Sequence, residues 1–121
     1  MVKPLFDTNV LIDYLAGREP ARLEIERYGE RCISVIGWME VMVGAPSESE
    51  DAIRRFLDSF ERIGVDPLVA ERAVSLRRAH RLKLPDAIVW ATAQVHNFLL
   101  VTRDFRDFPP DDPGIRMPYR L

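Results

Sequence analysis

The chain has a single cysteine and only two histidines among its 121 residues. Cys32 alone excludes an internal disulfide framework and any multi-cysteine metal site. Within the apolar run Cys32-Ile33-Ser34-Val35-Ile36 it reads as a small buried thiol. His80 and His96 are too few to build a histidine metal centre and read as surface or helix-end residues. There is no glycine-rich phosphate loop with a lysine, no paired-cysteine motif and no His-Glu-x-x-His. No apolar stretch approaches the ~20 residues of a membrane span. Met1 leads into an apolar strand rather than a signal peptide, so a cytoplasmic protein without a membrane partner is expected. The formal charge of -2 excludes a global attraction to nucleic acid.

What is present is ordinary in bulk and uneven in detail. Hydrophobic residues make up 47% and charged residues 30%, as in a soluble globular protein. The length suits one domain, residues 1–121, with a proper core. Arg77, Arg78, His80, Arg81 and Lys83 crowd into one segment. That segment reads either as a local phosphate-binding patch or as a solvated helix end, where cations are favoured.

Pro4-Leu5-Phe6-Asp7-Thr8-Asn9 reads as a buried strand running into a turn, with Thr8 or Asn9 placed to cap the next helix. That helix runs from Asn9 to Leu15 and stops at Gly17; another begins at Pro20 and ends by Gly29. A second strand covers Arg31 to Ser34, and Ser34 caps a helix over Val35–Val43 closed by Gly44-Ala45-Pro46. Ser47 and Glu50 have capping-box spacing for a helix over Glu48–Phe60. Ile63-Gly64-Val65 reads as a third strand. Asp66-Pro67 starts a helix to about Arg81, and Pro85 starts another to about His96, with Asn97 as a left-handed stop. Phe98–Thr102 is a fourth strand, and a last short one falls near Ile115–Met117 in a proline-rich tail. Short strands, apolar on both faces and alternating with helices, predict an α/β fold: a short parallel β-sheet flanked by helices on both faces.

Four acids then call for an explanation. Asp7 and Asp104 follow apolar strands, and Asp86 lies in the first turn of a helix. Glu40 rides a helix apolar almost all the way round, which predicts burial, where a lone glutamate is costly. Asp107 lies in the same loop as Asp104. In a parallel sheet these positions converge on one edge, where several carboxylates cannot all ionise without a cation. Oxygen-only donors suit Mg²⁺ or Mn²⁺, the equipment of metal-assisted phosphodiester hydrolysis. Phosphatase chemistry fits less well, because Asp7 and Asp13 are too far apart for a paired-aspartate motif.

These stretches resemble the PIN-domain proteins, most closely the VapC-type ribonuclease toxins of bacterial and archaeal toxin–antitoxin pairs. The resemblance lies in Leu5-Phe6-Asp7-Thr8-Asn9-Val10-Leu11-Ile12, Ile33-Ser34-Val35-Ile36 through Glu40 to Gly44, Leu84-Pro85-Asp86-Ala87, and Leu100-Val101-Thr102-Arg103-Asp104 with Asp107-Phe108. It implies a PIN-like fold and an endoribonuclease whose catalytic, metal-holding acids are Asp7, Glu40, Asp86 and Asp104. Thr8 and Thr102 would orient them, around Mg²⁺ or Mn²⁺. Many relatives have asparagine at the Asp104 position and rely on the acid at Asp107, so the resemblance leaves the fourth ligand open between them. Trp90 stands where a small residue is common. The implied partners are an RNA substrate, with Arg77, Arg78, Arg81 and Lys83 as backbone contacts, a cognate antitoxin and a second copy of the chain. Tyr14, Leu15, Leu23, Ile25 and Tyr28 add an independent hint of an interface. The alternative is a non-catalytic PIN domain that binds RNA or protein.

Overall fold

The structure is a computed structural model and describes residues 2–121. Its elements run β1 (Pro4–Phe6), α1 (Thr8–Leu15), α2 (Glu19–Glu26), β2 (Cys32–Ser34), α3 (Val35–Val43), α4 (Glu50–Asp58), β3 (Glu61–Ile63), α5 (Pro67–His80), α6 (Leu84–His96), β4 (Leu99–Val101) and β5 (Ile115–Arg116). All strand pairs are parallel, in the order β3-β2-β1-β4-β5. The expected α/β architecture is therefore present, with β1 at the centre.

The two-faced apolar strands explain the layering. Leu5, Cys32, Leu100 and Ile115 point to one face and pack with Val69, Leu76 and Trp90 of α5 and α6. Phe6, Ile33 and Val101 point to the other and pack with Val10, Leu11, Ile25, Val41 and Leu57 of the first four helices. A strand period of two places successive residues in opposite cores. The chain winds from β1 outward to β3, then returns to β4 on the other side of β1. The reversal opens a crevice at the carboxyl ends of β1 and β4, the place where such sheets bind ligands.

Ser34 and Asp66 cap their helices as expected, accepting from the Ile36 and Val69 amides at 3.1 and 2.8 Å. Asn97 is left-handed, with φ 58°. Three local expectations are corrected. Asp7, not Thr8 or Asn9, caps α1, its carboxylate accepting from the Thr8 amide at 2.8 Å. No capping box forms at Ser47: Ser47–Ser49 is a 3₁₀ turn after the extended Pro46, and α4 starts without a side-chain cap. The third strand lies two residues earlier than Ile63–Val65, because Glu61 pairs with Cys32 and its amide bonds the Arg31 carbonyl at 2.8 Å. As an edge strand, exposed at Glu61 and Arg62, it gives no apolar signal. Trp90 packs edge-on against His80 and Phe108 in the core. Among the described residues no helix is long and apolar enough to cross a membrane.

Candidate active site

The crevice is built by four separate segments. Asp7, at the end of β1, is 5% exposed. Its Oδ1 accepts from the Thr8 amide and its Oδ2 from the Thr102 hydroxyl, both at 2.8 Å. Thr102, fully buried after β4, in turn accepts from the Asn9 side-chain amide at 3.3 Å and the Asp104 amide at 3.1 Å. One hydroxyl thus ties the ends of the two central strands together. Thr8 donates to Glu40 Oε1 at 2.7 Å, fixing α3's carboxylate against the start of α1. Both threonines hold acids in place.

Asp86 comes from the first turn of α6. Asp86, Asp104 and Asp107 bring one carboxylate oxygen each to within 4.8 Å of one another. Asp104 Oδ1 accepts from the Arg106 and Asp107 amides, both at 3.1 Å, so the turn that carries Asp107 is organised around Asp104. Asp7 and Glu40 stand outside this triplet of donors but interact with it through charge: Glu40 repels both Asp7 and Asp86, and Asp86 repels Asp7.

One sequence expectation about Glu40 is overturned. α3 is not buried all round: only Gly37 and Val41 are buried, Glu40 is exposed, and Val43 is 88% exposed. The apolar surface of α3 is a surface stripe, which hydropathy alone does not distinguish from core.

The acids feel one another's charge. Burial pushes Asp7 up to about 7, against the hydrogen bond from Thr102, with Asp86 and Glu40 adding repulsion. Burial and then the charges of Asp107, Asp104 and Glu40 push Asp86 up to about 6, and Lys83 opposes. Asp107 is raised chiefly by Asp104. Five carboxylates with one nearby lysine form a charge assembly that a small divalent cation would neutralise. The donors are all oxygen, which fits Mg²⁺ or Mn²⁺ and not zinc.

Sequence reasoning missed the network beneath this loop. Asp13, on α1 and only 4% exposed, accepts from the Arg103 guanidinium, with one contact at 3.1 Å, and from the Tyr119 hydroxyl at 2.8 Å. Arg103 sits between Thr102 and Asp104, and its amide donates to Asn9 at 3.4 Å. A polar residue on the buried side of an amphipathic helix was the available signal; its partners lie 90 and 106 positions away. Of the proposed RNA contacts, Arg78, Arg81 and Lys83 are exposed, while Arg77 is also committed to the Leu82 carbonyl at 2.9 Å.

A groove of about 530 Å³ runs beside the crevice between α1, α3 and the start of α4. Ile12, Leu15, Val41 and Ile53 line it, and Glu40 stands in its wall. Of the side chains expected to mark an interface, Ile25 is core, Tyr14 stacks on Phe56 at 4.4 Å and Tyr28 packs on Phe6 at 5.9 Å. Only Leu15 and Leu23 remain exposed.

The family model described as PIN domain matches residues 5–109. Ribonuclease VapC10 of Mycobacterium tuberculosis is 32% identical over 113 residues, covering 87% of this chain and 85% of that protein. A solved toxin-antitoxin complex from Klebsiella pneumoniae contains a chain 46% identical, superposing with a TM-score of 0.92 over 98% of this chain and 99% of that one. A DNA-bound VapBC structure from Salmonella typhimurium gives 25% identity and a TM-score of 0.79, covering 96% of each chain.

Proposed function

The chain belongs to the PIN-domain family, and from that premise we propose that it is a metal-dependent endoribonuclease acting as the toxin of a toxin–antitoxin pair. The observation that carries this reading is the convergence of Asp7, Glu40, Asp86, Asp104 and Asp107 on one crevice, with oxygen donors alone. These acids would hold Mg²⁺ or Mn²⁺, which supplies a water of lowered pKa and charge stabilisation on the scissile phosphate. The remaining work falls to the protein. Thr102 holds the Asp7 carboxylate, Thr8 aims Glu40, and the Asp104 turn presents Asp107. Fixed acceptors lose little conformational freedom on binding a cation. The lysine beside Asp86 and Asp107 offers a positive charge to an approaching phosphate. A non-catalytic PIN domain is disfavoured, because every acid of the set is present and arranged. Purified protein is expected to cut unstructured RNA when given Mg²⁺ or Mn²⁺. RNA left intact with both metals would contradict the reading.

The fourth acid is assigned to Asp104, with Asp107 as its dependent neighbour. Asp104→Ala removes a carboxylate and also the acceptor that folds the turn around Asp107. Mn²⁺ calorimetry is expected to show affinity weakened by roughly tenfold or more for Asp104→Ala, on the scale of missing ligand-orienting bonds, and by less for Asp107→Ala. The reverse order moves the assignment to Asp107.

The groove with Glu40 in its wall is proposed to accept the antitoxin. An apolar segment would fill it and an arginine would pair with the acids in competition with metal. The exposed Met39 and Val43 of α3 support a homodimer. Light scattering at micromolar concentration is expected to give twice the monomer mass, and a monomer counts against the dimer. An antitoxin peptide that inhibits equally after its arginine becomes alanine refutes the competition.

A further inference from the structure

Beside the crevice, the loop after β4 carries a second patch. Phe105 follows Asp104 directly and remains 42% exposed, although most phenylalanines of this chain are packed inside. The Arg120 guanidinium lies 4.2 Å from the centre of its ring and that of Arg106 lies at 5.9 Å. Among the described residues neither arginine enters an ion pair, whereas Arg103 in the same loop is committed to Asp13. Phe105 and Arg120 therefore form a stacked pair with Arg106 close by, and neither arginine is neutralised by an acid. A recess of about 340 Å³ lined by Asn9, Asp104, Phe105 and Arg106 joins this surface to the acids.

The arrangement has a chemical meaning. A strongly acidic crevice repels a polyanion, so a substrate strand needs cations on its flanks to lie across it. Lys83 supplies one, close enough to Asp86 and Asp107 to favour their charged forms. Arg106, which acts on Asp107 as well, and Arg120 beside it add further positive charge. Unpaired bases stack on aromatic rings and on guanidinium planes, and the Arg120–Phe105 stack presents both. We propose that Phe105, Arg106 and Arg120 form a nucleotide subsite for single-stranded RNA next to the scissile position, the ring and Arg120 stacking a base while the arginines neutralise the adjoining phosphate. This rests on the ribonuclease reading and adds a binding element that the basic segment at Arg77–Lys83 does not provide.

The test measures steady-state cleavage of a fluorescein-labelled, unstructured RNA oligonucleotide in Mn²⁺, and binding of the same RNA by anisotropy in chelator. Phe105→Ala, an exposed change that leaves the core intact, should raise KM and Kd roughly tenfold with little change in kcat, and Phe105→Tyr should restore both. Replacing Arg106 and Arg120 by Gln should flatten the salt dependence of Kd by about 0.7 in log–log slope for each phosphate no longer neutralised. Wild-type KM, Kd and salt slope in these variants overturn the subsite while leaving the nuclease intact. A wild-type protein that neither cuts nor binds RNA overturns the ribonuclease reading itself, and the subsite with it.

Discussion

Asp7→Asn is expected to slow RNA cleavage by orders of magnitude and, at the same time, to raise the melting temperature of the metal-free protein at pH 8. The two effects have one cause. Asp7 lies between β1 and α1 with almost no solvent exposure, and burial holds its carboxyl at about 7, well above the ordinary carboxylate range. The folded chain therefore keeps a proton that the unfolded chain releases near pH 4. Stability is present at low pH and is lost as pH rises from about 4 through about 7. Asp86, pushed up to about 6, works in the same direction. Asparagine removes the ionisation and keeps an oxygen for the Thr8 amide, so the cap survives, while the acceptor used by the Thr102 hydroxyl is lost and trims the gain. A gain on the order of 2 kcal/mol, or several degrees, is expected at pH 8, shrinking toward zero as pH falls to about 4. Cleavage should fall by orders of magnitude, since one anionic donor is gone. A variant that melts below wild type at pH 8, or that cuts RNA as fast as wild type, contradicts the assignment. Divalent metal should reverse the order by stabilising wild type and not the variant, because metal binding competes with the protons that these acids hold.

Asp13→Ala is expected to be the most destabilising single change near the site, although Asp13 touches no proposed ligand. Its carboxylate accepts from Arg103 and Tyr119, and truncation leaves both donors facing a buried gap. Breaking a buried pair costs about 3–5 kcal/mol, and the lower end applies because the Arg103 side chain is 33% exposed. The loop that carries Asp104 would lose its anchor, so Mn²⁺ affinity should fall together with stability. By contrast, Arg22→Gln should leave the denaturation midpoint unchanged, because the Arg22–Glu19–Glu26 cluster lies in solvent. Denaturant unfolding compares the two directly. Equal losses, or a larger loss for Arg22→Gln, would refute the role given to Asp13.

The contrast between Asp7 and Asp13 shows where sequence reasoning stops. Asp7 is legible because a strand end, a helix start and a carboxylate coincide within a few residues, and chain order then places it at a sheet edge. Asp86 and Asp104 follow from the same local grammar of strand ends and helix starts. Asp13 is not legible, because its meaning depends on Arg103 and Tyr119, which only tertiary folding brings near. Glu40 stands out in the sequence for a reason that fails. Its helix is apolar, yet Met39 and Val43 face outward, so the residue stands at the rim and not inside the core. The acid belongs to the crevice because Thr8 reaches it, a hydrogen bond between residues 32 positions apart. The edge strand β3 is misplaced by hydropathy for a related reason: its pairing with β2 sets its register. Phe105 is invisible as a surface feature in sequence, where it resembles the buried Phe108 three residues later.

The proposed ribonuclease requires its five carboxylates to act as one divalent-metal site. The most direct measurement follows cleavage of a labelled single-stranded RNA by the purified protein in Mn²⁺, then in excess chelator, then after Mn²⁺ is restored, with Glu40→Gln run alongside. Cleavage should stop with chelator and return with Mn²⁺, and Glu40→Gln should be slower by orders of magnitude with an unchanged circular dichroism spectrum. Cleavage that continues in chelator, or a Glu40→Gln variant as fast as wild type, would contradict the shared metal site.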